Sequence, residues 1–432
     1  MRKFAFIIFV MISLSSIAQN TMYYMETLPQ NIFYNPALIP DARFSISLPG
    51  IGGVSVKGYN SGFTYGEFDH FYDNLGREGY DPDEFINSIG DYNEFLAESR
   101  VNLFTIGFRL KDKGYFSFFS HVHNFVTLNA ESDVAYLLAD LDDLSEDKFP
   151  LTADDIDLMT NTYMTVGFTY SRKIKNLTVG ISPKLNSSLV GVKSDNISYS
   201  IEIDPESGSE RDYNETYHGE AIVGLPFEIN PAAIVGGVLD TDEDIFPDNW
   251  EDELKISDFF NSTSLSVDLG ATYTLNRWFF SASLLNLGAT KWKTYGYRLY
   301  GDEETINVNE DERIKLKLPA KIYLGAKYQF SPKWNCGFLF HNTFYPARSN
   351  ASATLSLNGE VGKILSTSFS YTAGNTYNNL GLGFRLRFLP GTDLFVVTDN
   401  LIQTINLRKA YAFSVAAGIN FSFGLPDDKS PL

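Results

Sequence analysis

The chain has 432 residues, 34 basic against 53 acidic side chains, a net charge of −19 at pH 7, and one cysteine, Cys336. The acidic balance argues against nucleic acid as a partner, and a lone cysteine excludes a disulfide framework. The length suits one large barrel or two or three ordinary domains.

In chain order, Arg2 and Lys3 precede an apolar run from Phe4 to Leu14, then Ser15-Ser16-Ile17-Ala18 before Gln19. Residues 1–18 therefore read as a secretory signal peptide, and no cysteine stands at the cleavage point to carry a lipid. No later run of eighteen apolar residues occurs, which excludes membrane-spanning helices but not a closed strand barrel. Residues 19–42 hold Met22, Tyr23, Tyr24, Met25, Leu28, Ile32, Phe33 and Tyr34 and run through Asn35-Pro36-Ala37. That segment is too apolar to stay solvated and is expected to fold as a hatch inside the strands that follow. Pro36 limits Asn35 to extended geometry at the exit.

Strands are predicted near 43–58, 101–110, 115–125, 162–171, 177–188, 264–275, 278–288, 320–330, 334–344, 350–358, 365–374, 379–388, 393–399 and 410–423. Their common mark is a period of two. Leu177, Val179, Ile181 and Leu185 alternate with Thr178, Gly180, Ser182 and Lys184. In the last strand Tyr411, Phe413, Val415, Ala417, Ile419, Phe421 and Phe423 alternate with small or polar residues. One apolar and one polar face on every long strand is the pattern of a barrel between lipid and lumen.

Short turns are predicted at Lys111–Gly114, Arg172–Asn176, Asn276–Arg277, Ser331–Lys333 and Leu389–Thr392, with Trp278 and Trp334 just after two of them, at the height of an interfacial girdle. The other connections, 60–99, 127–160, 190–262 and 290–317, are long and acidic; 60–99 includes an amphipathic stretch near Asp83–Arg100 read as helix. Short turns belong on the periplasmic side and long loops outside. The expectation is an all-β, antiparallel transmembrane barrel over 43–424, about fourteen strands, sixteen if 197–226 adds a hairpin, with a periplasmic tail at 425–432.

Asp240, Asp242, Asp244, Asp248 and Glu251 occupy positions 1, 3, 5, 9 and 12 of a loop, the spacing of an EF-hand calcium site. Ile245 stands where the sharp turn wants glycine, so a solvated acidic loop is the competing reading. His121 and His123 lie two apart on a strand and face the lumen together, a metal pair without an evident third ligand or ordinary lumen polarity. Lys321, Lys327, Arg385, Arg387, Arg109 and Asp268 also fall on lumen-facing positions. They either select an anionic solute or form a salt-bridge lattice that pins the hatch. Pro183 falls on a lipid-facing position, where it cannot donate a ladder bond; a bulge, a lateral gap or a strand end follows. Gly-x-Ser-x-Gly, His-Glu-x-x-His and Walker patterns are missing, so no catalysis is expected.

The Phe33-Tyr34-Asn35-Pro36-Ala37-Leu38 start and Leu318-Pro319-Ala320 leading into Ile322-Tyr323-Leu324-Gly325-Ala326 resemble the FadL-like barrels. Leu285-Asn286-Leu287-Gly288 with Trp292, and Thr398-Asp399-Asn400-Leu401, look like an uncharacterised Bacteroidota branch of them; the Asn-Pro-Ala start is similar to that of type IX secretion subunits. The resemblance implies a fourteen-stranded barrel in the outer membrane of a Gram-negative bacterium, with an N-terminal hatch. It implies passive transport of a hydrophobic or amphipathic small molecule through the barrel, sometimes by a kinked strand that opens sideways. The alternatives are a non-conducting subunit of an outer-membrane secretion or assembly complex, and a barrel whose acidic exterior bridges glycolipid through divalent ions. Outer-membrane lipid is the expected partner in every case, and no cofactor is expected beyond the candidate calcium.

Overall fold

A computed structural model describes residues 20–424 except 76, 78–79, 111–113, 139–143, 205–211, 231–233, 236–237, 240–259, 261, 294, 303–304, 310–312, 346–348, 363 and 375–377. The signal-peptide reading, the acidic loop from Asp240 to Glu251, most of the Lys111–Gly114 turn and the tail 425–432 lie outside the described residues.

One antiparallel sheet contains β1 (Phe44–Ser47), β2 (Val54–Asn60), β3 (Tyr92–Leu110), β4 (Gly114–Glu131), β5 (Leu151–Ile174), β6 (Leu177–Ile203), β7 (Tyr213–Gly224), β8 (Ile234–Val235) and β9 (Val238–Leu239). It continues through β10 (Thr263–Leu275), β11 (Trp278–Lys291), β12 (Gly296–Asp302), β13 (Thr305–Asn309), β14 (Lys315–Lys317), β15 (Ala320–Ser331) and β16 (Trp334–Phe344). β17 (Ser349–Val361), β18 (Leu365–Gly374), β19 (Asn378–Leu389), β20 (Thr392–Thr398) and β21 (Ala412–Phe423) complete it. The sheet closes because β1 and β2 each pair with β21 on one side and β3 on the other.

Among the described residues sixteen strand segments form the closed wall, all except β7, β8, β9, β12 and β13. β1 and β2 share one position, and β14 and β15 both lie along β11, so fourteen positions go round the ring. Each coincides with one predicted strand. The extra hairpin read at 197–226 exists but stands above the ring. β6 pairs with β10 near the short-turn rim and with β7 along its outer half, and β7 leads on to β12 and β13.

Two expectations need correction. The stretch Asp83–Arg100 is helical only over Asp83–Ser88; Tyr92–Arg100 is the outer end of β3. A longer helix, Tyr65–Asn74, precedes it, started by a capping box in which Thr64 and Glu67 satisfy each other's backbone N–H. The acidic segments at 127–160 and 190–262 are also partly strand, because β5 runs for 24 residues and β6 for 27. A tilted strand needs only about 10 residues to cross a bilayer, so these two continue well past it. Around their outer ends Phe71, Phe85, Ile86, Tyr136, Leu151 and Ile201 pack into a cap. The Lys148 ammonium, with the Tyr136 hydroxyl at 2.6 Å, holds the Asp83 carboxyl of this cap below its usual range.

The distribution of polarity is inverted relative to a water-soluble protein. Phe118, Ile181, Leu269, Leu324, Phe338, Phe369, Leu380 and Val396 are exposed on the outer wall. Their strand neighbours Ser117, Ser182, Asp268, Ser370 and Arg385 are buried inside. At the short-turn rim Trp278 stacks on Phe280 and packs against Tyr328, as an interfacial girdle requires. The tight turns there place Lys175 and Asn276 in left-handed backbone, at φ 56° and 54°.

Leu355, 61 % exposed near the middle of β17, tests the inversion. Leu355→Arg is expected to cost about 2–4 kcal/mol in urea unfolding from lipid vesicles, the penalty of a cation near the bilayer midplane. On a water-exposed surface the same change would be close to neutral.

Candidate functional site

Residues 20–42 lie inside the ring. Met22, Tyr23, Tyr24, Met25, Leu28, Ile32, Phe33 and Tyr34 are all 8 % exposed or less; Ile32 and Phe33 pack against Tyr115 and Phe119, the others against wall residues such as Leu285, Tyr323, Leu339, Phe395 and Val397. The segment is a succession of turns, with one 3-10 turn over Pro29–Phe33; internal bonds such as Met25 N–H to the Met22 carbonyl satisfy part of its backbone, and the wall satisfies more. Both carboxylate oxygens of Asp399 accept from its first amides, the N–H of Asn20 at 3.1 Å and of Thr21 at 2.8 Å. Tyr24 donates to the Phe338 carbonyl at 2.8 Å, and Ser283 donates to the Tyr34 carbonyl at 2.7 Å. Gln30 and Asn420 exchange amide hydrogen bonds at 2.7 and 3.0 Å, which ties the segment to the last strand.

Asn35-Pro36-Ala37 forms a turn in which the Asn35 carbonyl accepts from Leu38 N–H at 2.9 Å and its side-chain oxygen from Ala37 N–H at 2.9 Å. Asparagine first and proline second are the residues such a turn favours. The turn sits on a pair of facing glycines, Gly180 and Gly270, directly opposite each other on β6 and β10. A Cβ on Gly270 would stand 2.0 Å from Asn35 Oδ1, and one on Gly180 2.3 Å from the Pro36 carbonyl. Only a residue without a side chain lets the segment approach this close.

The lumen-facing charges named from the sequence all have partners. Lys321 pairs with Glu98, which also accepts from the Tyr345 hydroxyl at 3.2 Å. Lys327 pairs with Glu26 of the luminal segment, and Arg109 donates to its Pro40 carbonyl. Arg385 and Arg387 share Asp393, at 2.7 and 2.9 Å. Asp268 accepts from Lys184 at 2.7 Å and from the Asn286 N–H at 2.7 Å; Asn286 also receives Lys184 at 2.7 Å and donates to the Pro319 carbonyl at 3.0 Å. Asn286 does this from left-handed backbone, φ 58°, opposite the irregularity at Val267–Leu269. The Leu285-Asn286-Leu287-Gly288 and Leu318-Pro319-Ala320 motifs thus meet at one buried ion pair.

His121 and His123 do face inward together. His121 lies parallel to Phe119 and His123 stacks on Tyr163, with Phe33 edge-on to His121. His123 Nε2 is 4.0 Å from Glu98, and no group of three potential ligands for a metal occurs among the described residues. Pro183 is on the outer face; its strand stays in register with β10, while the pairs Phe168–Pro183 and Thr169–Ser182 drop out of the β5 ladder. A side-chain hydrogen bond of 2.7 Å between Thr169 and Ser182 bridges that break.

Glu98, Arg100 and Lys184 are not singled out by the sequence as site residues, and Asn286 enters only within the Leu285-Asn286-Leu287-Gly288 motif. Reading Asp83–Arg100 as helix hid the alternation that sends Glu98 and Arg100 to one face, and Lys184 passed as an ordinary polar position beside Pro183. Two cavities adjoin the luminal segment. One of about 480 Å³ opens at the short-turn mouth between Tyr24, Glu26, Phe279, Lys327, Asn358 and Ser366. The other, about 30 Å³, lies higher, behind Phe33 and Tyr34.

Gly270→Leu is expected to unseat the Asn35–Leu38 turn, since overpacking at such a contact costs about 1–3 kcal/mol. Limited proteolysis should then cleave within 20–42 markedly faster than in the native chain, while heat-modifiable migration of the barrel is kept. Lys321→Met should destabilise by about 3–5 kcal/mol in urea unfolding by stranding Glu98 in the lumen, and adding Glu98→Leu should recover most of that loss.

The sequence matches the model of the Family of unknown function (DUF5723) over residues 36–312 and 303–399. Comparison with curated proteins gives no match. Among solved structures the chain is similar to the toluene transporter TbuX of Ralstonia pickettii, at 11 % identity and a TM-score of 0.45, covering 92 % of this chain and 94 % of that one. It is also similar to the toluene transporter TodX of Pseudomonas putida, at 10 % identity and a TM-score of 0.39, covering 94 % and 93 %. The translocator domain of the autotransporter NalP from Neisseria meningitidis follows at 5 % identity and a TM-score of 0.35, covering 88 % and 89 %. With its model matched across most of the length, the chain belongs to the family of unknown function DUF5723.

Proposed function

We propose that this protein is an outer-membrane barrel that passes a hydrophobic or amphipathic small molecule passively, with residues 20–42 acting as a hatch that shifts to let it through. The observation that carries this reading is a succession of apolar clusters along the interior, besides the one that seats the hatch itself. The outermost gathers Phe71, Phe85 and Tyr136 in the cap. The next gathers Phe125, Met159, Tyr163, Trp292 and Leu316 near the outer ends of the spanning strands. The last joins Ile32 and Phe33 of the hatch to Tyr115 and Phe119 of the wall. A molecule with apolar surface gains ~25 cal/mol per Å² of surface withdrawn from water at the first cluster and keeps that gain where the clusters follow one another. Hatch movement is needed because the turn at Asn35–Leu38 occupies the space between β6, β10 and β11, and its attachments are mostly single hydrogen bonds, each worth only ~1 kcal/mol net.

A second reading is a non-conducting subunit of an outer-membrane secretion or assembly complex. The observation in its favour is the outer sheet formed by β7, β12 and β13 on the outer half of β6, which stands beyond the ring; β7, β12 and β13 add nothing to the closed wall.

Deleting residues 21–34 separates the two. The passive-transport reading expects a folded barrel with higher ion conductance in planar bilayers than the full chain. It also expects that the full chain speeds entry of decanoate or toluene across vesicles whose outer leaflet is lipopolysaccharide. Unchanged conductance with no acceleration of either solute would sink that reading, and co-purification of a stoichiometric membrane partner would then support the second.

A further inference from the structure

We infer that the small hole behind Phe33 and Tyr34 is a binding site for one monovalent anion, chloride in ordinary media. The site stands on geometry independent of whether the lumen conducts. Its volume, about 30 Å³, admits one or two waters or a single chloride-sized ion. Three cations line it, Arg100, Lys184 and Lys321, against one carboxylate, Asp268. Lys184 is taken by Asp268 and Lys321 by Glu98, the second carboxylate, just behind the lining.

Arg100 is left over. Among the described residues it has no carboxylate partner; it donates once, to the Tyr34 hydroxyl at 3.2 Å, and its guanidinium lies 4.8 Å from the Phe33 ring centre and 5.4 Å from that of Tyr34. A guanidinium carries five N–H donors, so most of its capacity is unused. His121 and His123, 6 % and 7 % exposed, line the same hole, and Nδ1 of each is buried without a hydrogen-bond partner. The cluster therefore holds one excess positive charge, unspent donors and orphaned ring nitrogens around a space for one small ion.

Arg100 is only part-buried, but the space it faces is narrow, and water there answers its charge only through its dipole. One monovalent anion neutralises the cluster and accepts from the guanidinium. Sulfate is too large and carries the wrong charge, and a carboxylate would need the hatch to move. The occupant is enclosed by Phe33 and Tyr34, so its binding should strengthen the seating of the luminal segment.

The test uses the full mature chain folded in detergent, at constant ionic strength, in sodium chloride, bromide or gluconate. Chloride and bromide are expected to raise the unfolding midpoint by several degrees over gluconate. Crystals grown in bromide should show one anomalous peak between Arg100 and the two imidazoles. Arg100→Gln should abolish both effects while its band stays heat-modifiable. No bromide peak at this position, or equal midpoints in chloride and gluconate, would show that the hole holds water and overturn the proposal. An anion-dependent shift of undiminished size in Arg100→Gln would overturn it equally. Should that variant fail to fold, the bromide peak in the native chain decides alone.

Discussion

The constraint on which the structure depends is closure of the strand ring. Once β21 pairs with β1 and β2, every inward-facing polar group is sealed from the lipid and must find its partner within the lumen. The bilayer demands an apolar exterior, so alternation sends Ser, Thr, Asn, Lys and Arg inward, where each group left unpaired is costly. The luminal segment answers this demand. It enters just before β1, where Arg43 N–H donates to the carbonyls of Phe423 and Gly424, and it carries irregular backbone whose amides and carbonyls suit the polar wall.

The same constraint explains the charge lattice. Lys321 with Glu98, Lys184 with Asp268, and Arg385 with Asp393 are all nearly inaccessible, a setting in which an unpaired ion is far more costly than a paired one. Pairs between wall strands fix the lumen, whereas Lys327 with Glu26 and Asp399 with the Asn20 and Thr21 amides hold the luminal segment. Arg100 belongs to neither set. It is capped by the aromatic rings of Phe33 and Tyr34 rather than by an acid, which leaves the cluster around it with more positive than negative groups.

Much of the wall was legible in the sequence, for a physical reason. A strand between lipid and lumen has two environments alternating residue by residue, and Tyr411–Phe423 or Leu177–Lys184 record both. The helix read at Asp83–Arg100 failed because β3 continues into the cap, where both faces meet protein or water and the alternation weakens. With that strand end misread, Glu98 and Arg100 were lost from the inner face. The outer lengths of β5 and β6 were read as loops for the same reason: past the bilayer, acidic residues sit on strands as readily as on loops.

The sequence by itself determined the membrane-facing alternation, the number of wall positions and the apolar character of the segment ahead of the first strand. These follow from local composition and period, which each residue carries with it. Only the tertiary structure decided which partners meet. Gly180 and Gly270 are small inner residues like many others until pairing of β6 with β10 sets them face to face beneath Asn35 and Pro36. Asp268, Asn286 and Pro319 come together only because three strands are in register, and Asp399 finds Asn20 only because the last strands close on the first. Contacts of that kind depend on ring closure, a property of the whole chain that no local stretch of sequence encodes.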